Sequence, residues 1–475
     1  MNTGFIKDFH VLQTAKGPVA FHAPSYRFFE VDEEIGSVIS WLEKNGGNAG
    51  KAGEITQEQV DKAKTALFKE VGDGSFRLQN NILGDKSDLT VFYFFASQDC
   101  NLNCTYCYGD GGDYGKGRML MEEGTADNFL ERFLTGENKR YMVNFFGGEP
   151  LMNLPLIKDL VAKAKEKGKK LGFEVDFNLT TNGTLWNSKI RDFLRDDIRN
   201  ITVSLDGPKD INDVQRPARG KFSPHDRTLK TLTELKKIKG ENFVIRTIVT
   251  KNSYDKIGEI YRYNLALAPG GVGITSVDVD PGHPLALSES EHKLMVQRII
   301  ENNAANLDAF ATDDNPQFYE YTFDLFEMIF FKKYRTNPCN ACRAVAAVGA
   351  DGDIYPCHRF VGVEEFRIGN VNDPHHLNEN YDKVRESFRK ASVDTMPQCS
   401  VCWARYLCGG CCYVISYLRV GSIDKPWHRY CYLKRTVYHH LLGRFIEIMA
   451  DPVKKEKLAG NVIRLLSEKK NKAAC

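Results

Sequence analysis

Three cysteines carry the densest chemical signal in the sequence: Cys100, Cys104 and Cys107, in the run Asp99-Cys-Asn-Leu-Asn-Cys-Thr-Tyr-Cys-Tyr108. Their spacing is C-x3-C-x2-C. Iron–sulfur cubanes are usually held by four cysteine thiolates. Three on one loop leave one iron without a protein ligand, and an open iron can take a small molecule. Taken alone, the run is also compatible with a zinc site short of its fourth ligand. The apolar run Val91-Phe-Tyr-Phe-Phe-Ala96 precedes it, so the cysteines are expected in a loop leaving a buried strand.

A second set lies downstream. Of thirteen cysteines, nine fall between 339 and 431, and Cys475 stands alone at the end. Cys339 and Cys342 precede Asp351-Gly-Asp-Ile-Tyr-Pro-Cys357. Then follow Cys399-x2-Cys402-x5-Cys408-x3-Cys412 and Cys431. The two C-x2-C pairs admit a zinc-ribbon reading. Eight well-spaced cysteines, however, suffice for two four-thiolate clusters, and the companion loop makes iron–sulfur the more economical choice. His358, beside Cys357, reads as a loop histidine rather than a ligand.

Three polar turns complete the chemistry: Phe145-Phe-Gly-Gly-Glu-Pro150, Thr180-Thr-Asn-Gly-Thr184, and Val203-Ser-Leu-Asp-Gly-Pro208 followed by Arg216. Paired glycines let a ligand approach the backbone, and Glu149 can meet a cationic amine. Together the turns describe a pocket for a polar, zwitterionic ligand.

These residues need elements to hold them. From about 88 to 300, strands at 90–96, 142–146, 173–179, 201–205, 243–250 and 273–279 alternate with helical patterns, the signature of a parallel sheet. Six β/α units imply an α/β fold with a partial (β/α)6 TIM-like barrel, since a closed barrel has eight. In such folds the chemistry sits at the C-terminal ends of the strands, where the turns and the three-cysteine loop fall. Residues 1–80 lack cysteine and show three short strand-like runs and two helical patterns, a small winged-helix-like module closed by Gly72-Asp-Gly74. The expected organisation is this module at 1–80, the barrel at 81–300, a helical bridge at 301–335, a cysteine-rich domain at 336–450 built around metal, and a solvated lysine-rich tail at 451–475. A net charge of +2 gives no global case for nucleic-acid or membrane binding. No signal peptide or membrane-length apolar run is visible, so a cytoplasmic protein is expected, with its cysteines serving metal rather than disulfides.

The motifs resemble those of the radical S-adenosylmethionine superfamily, specifically its SPASM-domain branch, over about residues 88–431. The resemblance implies that Cys100, Cys104 and Cys107 hold a [4Fe–4S] cluster whose open iron chelates S-adenosylmethionine. It implies that Tyr106 lies beside the adenine and that Gly147, Gly148 and Glu149 receive the methionyl amine. Asn182, Ser204 and Arg216 would line the cofactor. The C-terminal array would hold two auxiliary clusters, giving three [4Fe–4S] clusters in all. The interleaved pattern of the branch assigns Cys339, Cys342, Cys357 and Cys412 to one cluster and Cys399, Cys402, Cys408 and Cys431 to the other, leaving Cys411 and Cys475 over.

Within the branch, Phe145–Asn153, Gly352–His358 and Cys107–Gly115 are similar to the corresponding runs of peptide thioether-forming maturases. That resemblance implies hydrogen abstraction from an Asp or Glu methylene by a 5′-deoxyadenosyl radical, and C–S bond closure by a substrate cysteine. The substrate would be a small cysteine-containing polypeptide such as a dehydrogenase small subunit, the electron donor a flavodoxin or ferredoxin. The N-terminal module would bind the substrate on a sheet edge, at Val19–His22 or Tyr26–Val31. Two other readings are a sulfatase-type, formylglycine-forming maturase and an iron–sulfur electron-transfer protein without radical chemistry. The second explains the cysteines but not the strand-end turns.

Overall fold

A computed structural model describes residues 6–45, 55–71, 89–267, 270–314, 316 and 319–474. The Gly72-Asp-Gly74 turn, the boundary at 80/81 and Cys475 lie outside the described residues. The chain divides into two compact units. One holds Met1–Ile82, Val296–Cys339 and Lys390–Cys475, and the other Leu83–Met295 and Asn340–Arg389.

The first unit opens with an antiparallel meander of β1 (Phe9–Thr14), β2 (Gly17–His22) and β3 (Arg27–Glu30), in that spatial order. β2 is paired on both sides, so Val19–His22 is not the edge the sequence suggested. Among the described residues β3 has no strand on its other side. Helix Glu33–Lys44 follows, started by the Asp32 carboxylate accepting from the Ile35 amide at 2.7 Å. Its Ile35, Val38, Ile39 and Leu42 pack on Phe9, Val11, Ala20 and Phe29, with Val60, Ala63 and Leu67 of helix Gln57–Val71 closing the cluster. The C-terminal part of the unit is helical. The lysine-rich stretch read as a solvated tail is the helix Pro452–Ala474. Leu458 and Val462, one turn apart, are buried, and Asn461 donates to the Phe310 and Asp313 carbonyls. The lysines mask this apolar stripe in the composition.

The second unit is an α/β layer. Its strands are β4 (Val91–Gln98), β5 (Met119–Leu120), β6 (Arg140–Gly147), β7 (Glu174–Thr181), β8 (Asn200–Ser204), β9 (Phe243–Val249), β10 (Val272–Ser276), β11 (Val345–Val348), β12 (Asp353–Tyr355) and β13 (Gly369–Asn370). The six strands expected from the sequence run parallel in the order β10-β9-β8-β7-β6-β4. The sheet then continues where the sequence showed only cysteine-rich loops: β11 joins the free side of β4 in parallel, and β12 and β13 follow antiparallel. Alternation explains the two faces. Phe92 and Phe94 of β4 meet Phe129 of helix Glu123–Phe133, with centroids 5.1 and 5.0 Å apart. Tyr93 points the other way, 5.7 Å from Phe146. Each fully buried phenylalanine contributes about 1.5–3 kcal/mol. The Tyr93 face is polar further along: Asn178 donates to Asn144 and Asn200 to Asn178, both at 2.9 Å, a ladder across three strands. A closed barrel fills this side with branched apolar residues. Among the described residues no helix is long and apolar enough to cross a membrane.

Candidate functional site

The three-cysteine loop leaves the C-terminal end of β4, and its own backbone fixes it. The Asn103 and Thr105 amides donate to the Pro217 and Gln215 carbonyls, and the Arg219 amide to the Asn101 carbonyl. The Arg219 guanidinium bridges the Asp99 carboxylate at 2.9 Å and the Gly111 carbonyl at 3.1 Å. Asp99 in turn accepts from the Cys100 amide at 2.8 Å. Arg219 and Asp99 thus clamp the loop, a role the sequence did not signal because a lone Arg and Asp 120 residues apart carry no spacing cue.

The glycine pair also has a packing reason that the sequence did not show. A Cβ on Gly147 would lie 2.2 Å from the Ser97 carbonyl oxygen, and one on Gly148 would lie 2.1 Å from that of Asp99. Gly147 also has φ +128, outside the range of other residues. What approaches these glycines is therefore the root of the cysteine loop itself. The Gly148 and Glu149 amides donate to Ser97 and Asp99 across the crossing.

Glu149 is completely buried. Its carboxylate accepts from the Leu151 amide at 3.1 Å, the Thr181 hydroxyl at 2.8 Å and the Asn182 amide at 2.8 Å, tying the end of β6 to the end of β7. Burial weakens it as an acid, raising its pKa to about 7 against these hydrogen bonds. Among the described residues no cation forms an ion pair with it. Asn182 accepts from Thr184, donates to Asn101 at 2.8 Å and reaches the Cys100 sulfur at 3.7 Å. Ser204 is half-buried at the end of β8. Arg216 donates to the Tyr106 hydroxyl at 2.7 Å, which donates to Asp206 at 2.6 Å. Asp206, fully buried, also accepts from Gln215 and the Ile248 amide, both at 3.0 Å. Asp206 holds the Tyr106 ring in place, and the sequence showed it only as part of a turn. The residues expected at the site therefore lie at four adjoining strand ends, those of β4, β6, β7 and β8.

The donor chemistry fits an iron–sulfur group. Burial pushes the Cys100 thiol up to about 12 and the Cys104 thiol to about 11, so these two are protonated in the free loop. A coordinated metal deprotonates such thiols outright. A cubane spreads its thiolates over separate irons.

The later cysteines fall in both units. Cys342 and Cys357 lie in the sheet-bearing unit, where the Cys342 amide donates to the Pro356 carbonyl at 3.2 Å. His358 packs between Tyr93 and Phe146, and burial pushes its basicity down to about 3. Cys339 and Cys412 lie in the other unit. There a cavity of about 500 Å³ is lined by Cys399, Cys402, Cys408 and Cys431, and also by Cys411, which the spacing left over. The N-terminal module forms part of its wall through Ile6, Phe9, Leu42 and Glu43. His10 stacks on Trp403 with centroids 3.7 Å apart and is held by Glu43 at 2.7 Å and His439 at 2.8 Å. Arg405, buried, is ion-paired to Asp8.

Comparisons with known proteins agree with this layout. Residues 95–263 match the Radical SAM superfamily, and residues 331–403 match SPASM, an iron–sulfur cluster-binding domain. A cysteine-type anaerobic sulfatase-maturating enzyme of Clostridium perfringens is 24% identical over 376 residues, spanning 74% of this chain and 96% of that protein. The radical SAM cyclopropyl synthase TigE of Paramaledivibacter caminithermalis is 22% identical over 467 residues, spanning 90% and 92%. The solved structure of native anSMEcpe with bound AdoMet superposes with a TM-score of 0.64 at 22% identity, covering 75% of this chain and 98% of that one, a likeness of fold. Residues 95–263 thus match a radical SAM domain and residues 331–403 a SPASM domain, on a mixed α/β fold shared with anSMEcpe.

Proposed function

We propose that the protein is a radical S-adenosylmethionine maturase that forms Cys-to-Asp or Cys-to-Glu thioether bonds within a small polypeptide, in the manner of the quinohemoprotein amine dehydrogenase maturase. One observation carries the reading: the N-terminal sheet and the second cysteine array belong to one unit and share one cavity wall. A module able to receive a chain thus adjoins a group able to hold or oxidise a thiolate, which needs a metal or cation at neutral pH. About a quarter of this chain also lies outside its likeness to anSMEcpe.

In this reading Cys100, Cys104 and Cys107 hold the first [4Fe–4S] cluster. When bound with S-adenosylmethionine, it supplies the reductive chemistry that starts hydrogen abstraction. Glu149 offers a buried carboxylate to the methionyl ammonium. Arg216 and Asp206 fix Tyr106, and Asn182 and Ser204 flank the ligand. Cys339, Cys342, Cys357 and Cys412 hold one auxiliary cluster, and Cys399, Cys402, Cys408 and Cys431 the other. A flavodoxin or ferredoxin delivers the electrons.

A second reading, a sulfatase-type maturase, draws on the near-complete coverage of the Clostridium enzyme. Co-expression with a small cysteine-rich polypeptide, followed by mass spectrometry, separates the two. Each thioether removes one hydrogen from carbon and one from sulfur and leaves no alkylatable thiol. A product that reacts with hydrazides as an aldehyde would establish the formylglycine reading instead. Anaerobic reconstitution should give about twelve irons per chain, four per cubane.

A further inference from the structure

The helix His428–Met449 carries Tyr430, Lys434 and Tyr438 at i, i+4 and i+8, so they share one face. Cys431 sits one position round, a turn before Lys434. The Lys434 ammonium lies 4.5 Å from the ring centre of Tyr321, 5.7 Å from that of Tyr430 and 5.8 Å from that of Tyr438. Tyr321 comes from helix Glu320–Phe331. The same lysine lines the cavity of Cys399, Cys402, Cys408, Cys411 and Cys431.

Its surroundings do not neutralise it. Among the described residues Lys434 makes no ion pair. The acid near Tyr438, Asp324, is taken by the Arg335 fork at 2.8 and 3.0 Å. A half-buried ammonium without a counter-ion is costly unless it is compensated. Tyrosine faces return about 0.5–2 kcal/mol each at best. A lysine is cationic at neutral pH, and the three tyrosine faces favour that form over the neutral amine. The missing negative charge belongs on the open side, where the cysteines converge. A four-thiolate cluster carries net negative charge and gains more on reduction.

We propose that Lys434 is a built-in counter-cation for the iron–sulfur cluster of Cys399, Cys402, Cys408 and Cys431 and that it raises that cluster's reduction potential. This rests on reading the array as a cluster site. Reduction adds one electron to the cluster, breaks no bond and leaves the lysine protonated. The tyrosine rings make Lys434 a positioning residue: they hold its charge at the wall of the cysteine cavity.

The test uses the full-length, anaerobically reconstituted protein, with iron analysis and a potentiometric titration followed by EPR. Lys434→Met should keep its iron, yet at the wild-type midpoint of one auxiliary cluster its reduced-to-oxidised ratio should fall about tenfold, a shift of 59 mV for one electron. Lys434→Arg should keep the wild-type midpoint. An unmoved midpoint in Lys434→Met, or an equal shift in both variants, overturns the proposal. If Lys434→Met is iron-poor, Lys434→Gln is titrated with the same two outcomes. Iron loss in all three variants makes the lysine a packing residue and also overturns it. Wild-type protein whose iron accounts for the first loop alone would sink the cluster reading as a whole; normal iron with an unmoved midpoint sinks only the role of Lys434.

Discussion

Glu149 is a structural residue, tying two strand ends together, and a cofactor ligand in the proposed function. Its carboxyl group already answers three donors from two strand ends, in a place where burial makes the anionic form costly. Glu149→Gln replaces one acceptor oxygen with a donor and strands a buried N–H or hydroxyl, costing about 1–3 kcal/mol. The variant should therefore melt earlier and also bind S-adenosylmethionine at least tenfold more weakly, measured by thermal unfolding and equilibrium dialysis. Wild-type melting with lost binding would assign the residue to the ligand alone. Gly148 makes the companion case. Its missing Cβ is what allows Asp99 to cross, so Gly148→Ala forces two backbones apart. We expect at least about 3 kcal/mol of destabilisation, at the upper end for overpacking, and loss of the iron held by the Cys100 loop. Full iron at that loop would show that the crossing is soft. The sequence showed the glycines and the glutamate; it could not show that the root of the cysteine loop packs against the glycines, because that approach comes from a distant strand end.

At the scale of elements, the six parallel strands were legible because each is a short apolar run bounded by polar turns, with helical periodicity between. β11, β12 and β13 were not, being two to four residues long and lying among cysteines and glycines that read as loop. Their place beside β4 is set by long-range pairing, which has no local signature. The N-terminal sheet was legible as strands but not as an order, and order decides which strand is an edge. This sheet also has a predictable acid limit. His22, at the end of β2, is buried, and its ring meets Ser25 at 2.8 Å. Burial, aided by Arg405 and Arg27, pushes its basicity from 6.5 to about 4. The unfolded chain takes up a proton that the folded one refuses. Stability is thus complete above about pH 6.5 and is lost as the pH falls toward about 4. Between about pH 7.5 and 5 the loss should be about 2 kcal/mol, at 1.36 kcal/mol per unit. Anaerobic thermal unfolding of wild type and His22→Asn checks this: the variant should be less stable at neutral pH and less sensitive to acid. Parallel pH curves would remove His22 as the cause.

Across the whole molecule, the cysteine content was legible but its distribution was not. Residues 336–450 read as one metal-built domain, whereas the structure puts Cys342 and Cys357 in one unit and Cys399 to Cys431 in the other. The latter group shares its unit with the N-terminal module. Phe28 meets Phe445 at 6.1 Å and Phe21 meets Trp403 at 6.4 Å. Removing residues 1–80 would strip the wall of the cavity, so truncation cannot isolate a binding role for the module. The edge of β3 can. Register pairs Glu30 with Val19, and the Val31 amide donates back to Pro18 at 3.2 Å, so alternation turns the Glu30 amide away from β2. Its side chain is exposed. An extended polypeptide added to this edge would accept from that amide. Edge strands tolerate proline, which removes only the outward donor. Glu30→Pro should therefore weaken substrate binding several-fold, read by fluorescence anisotropy of a labelled polypeptide, while melting temperature, iron content and substrate-free formation of 5′-deoxyadenosine stay at wild-type levels. Unchanged affinity in a normally folded Glu30→Pro protein would mean that the chain to be modified docks elsewhere, and the module would then stand as the wall of the cysteine cavity and nothing more.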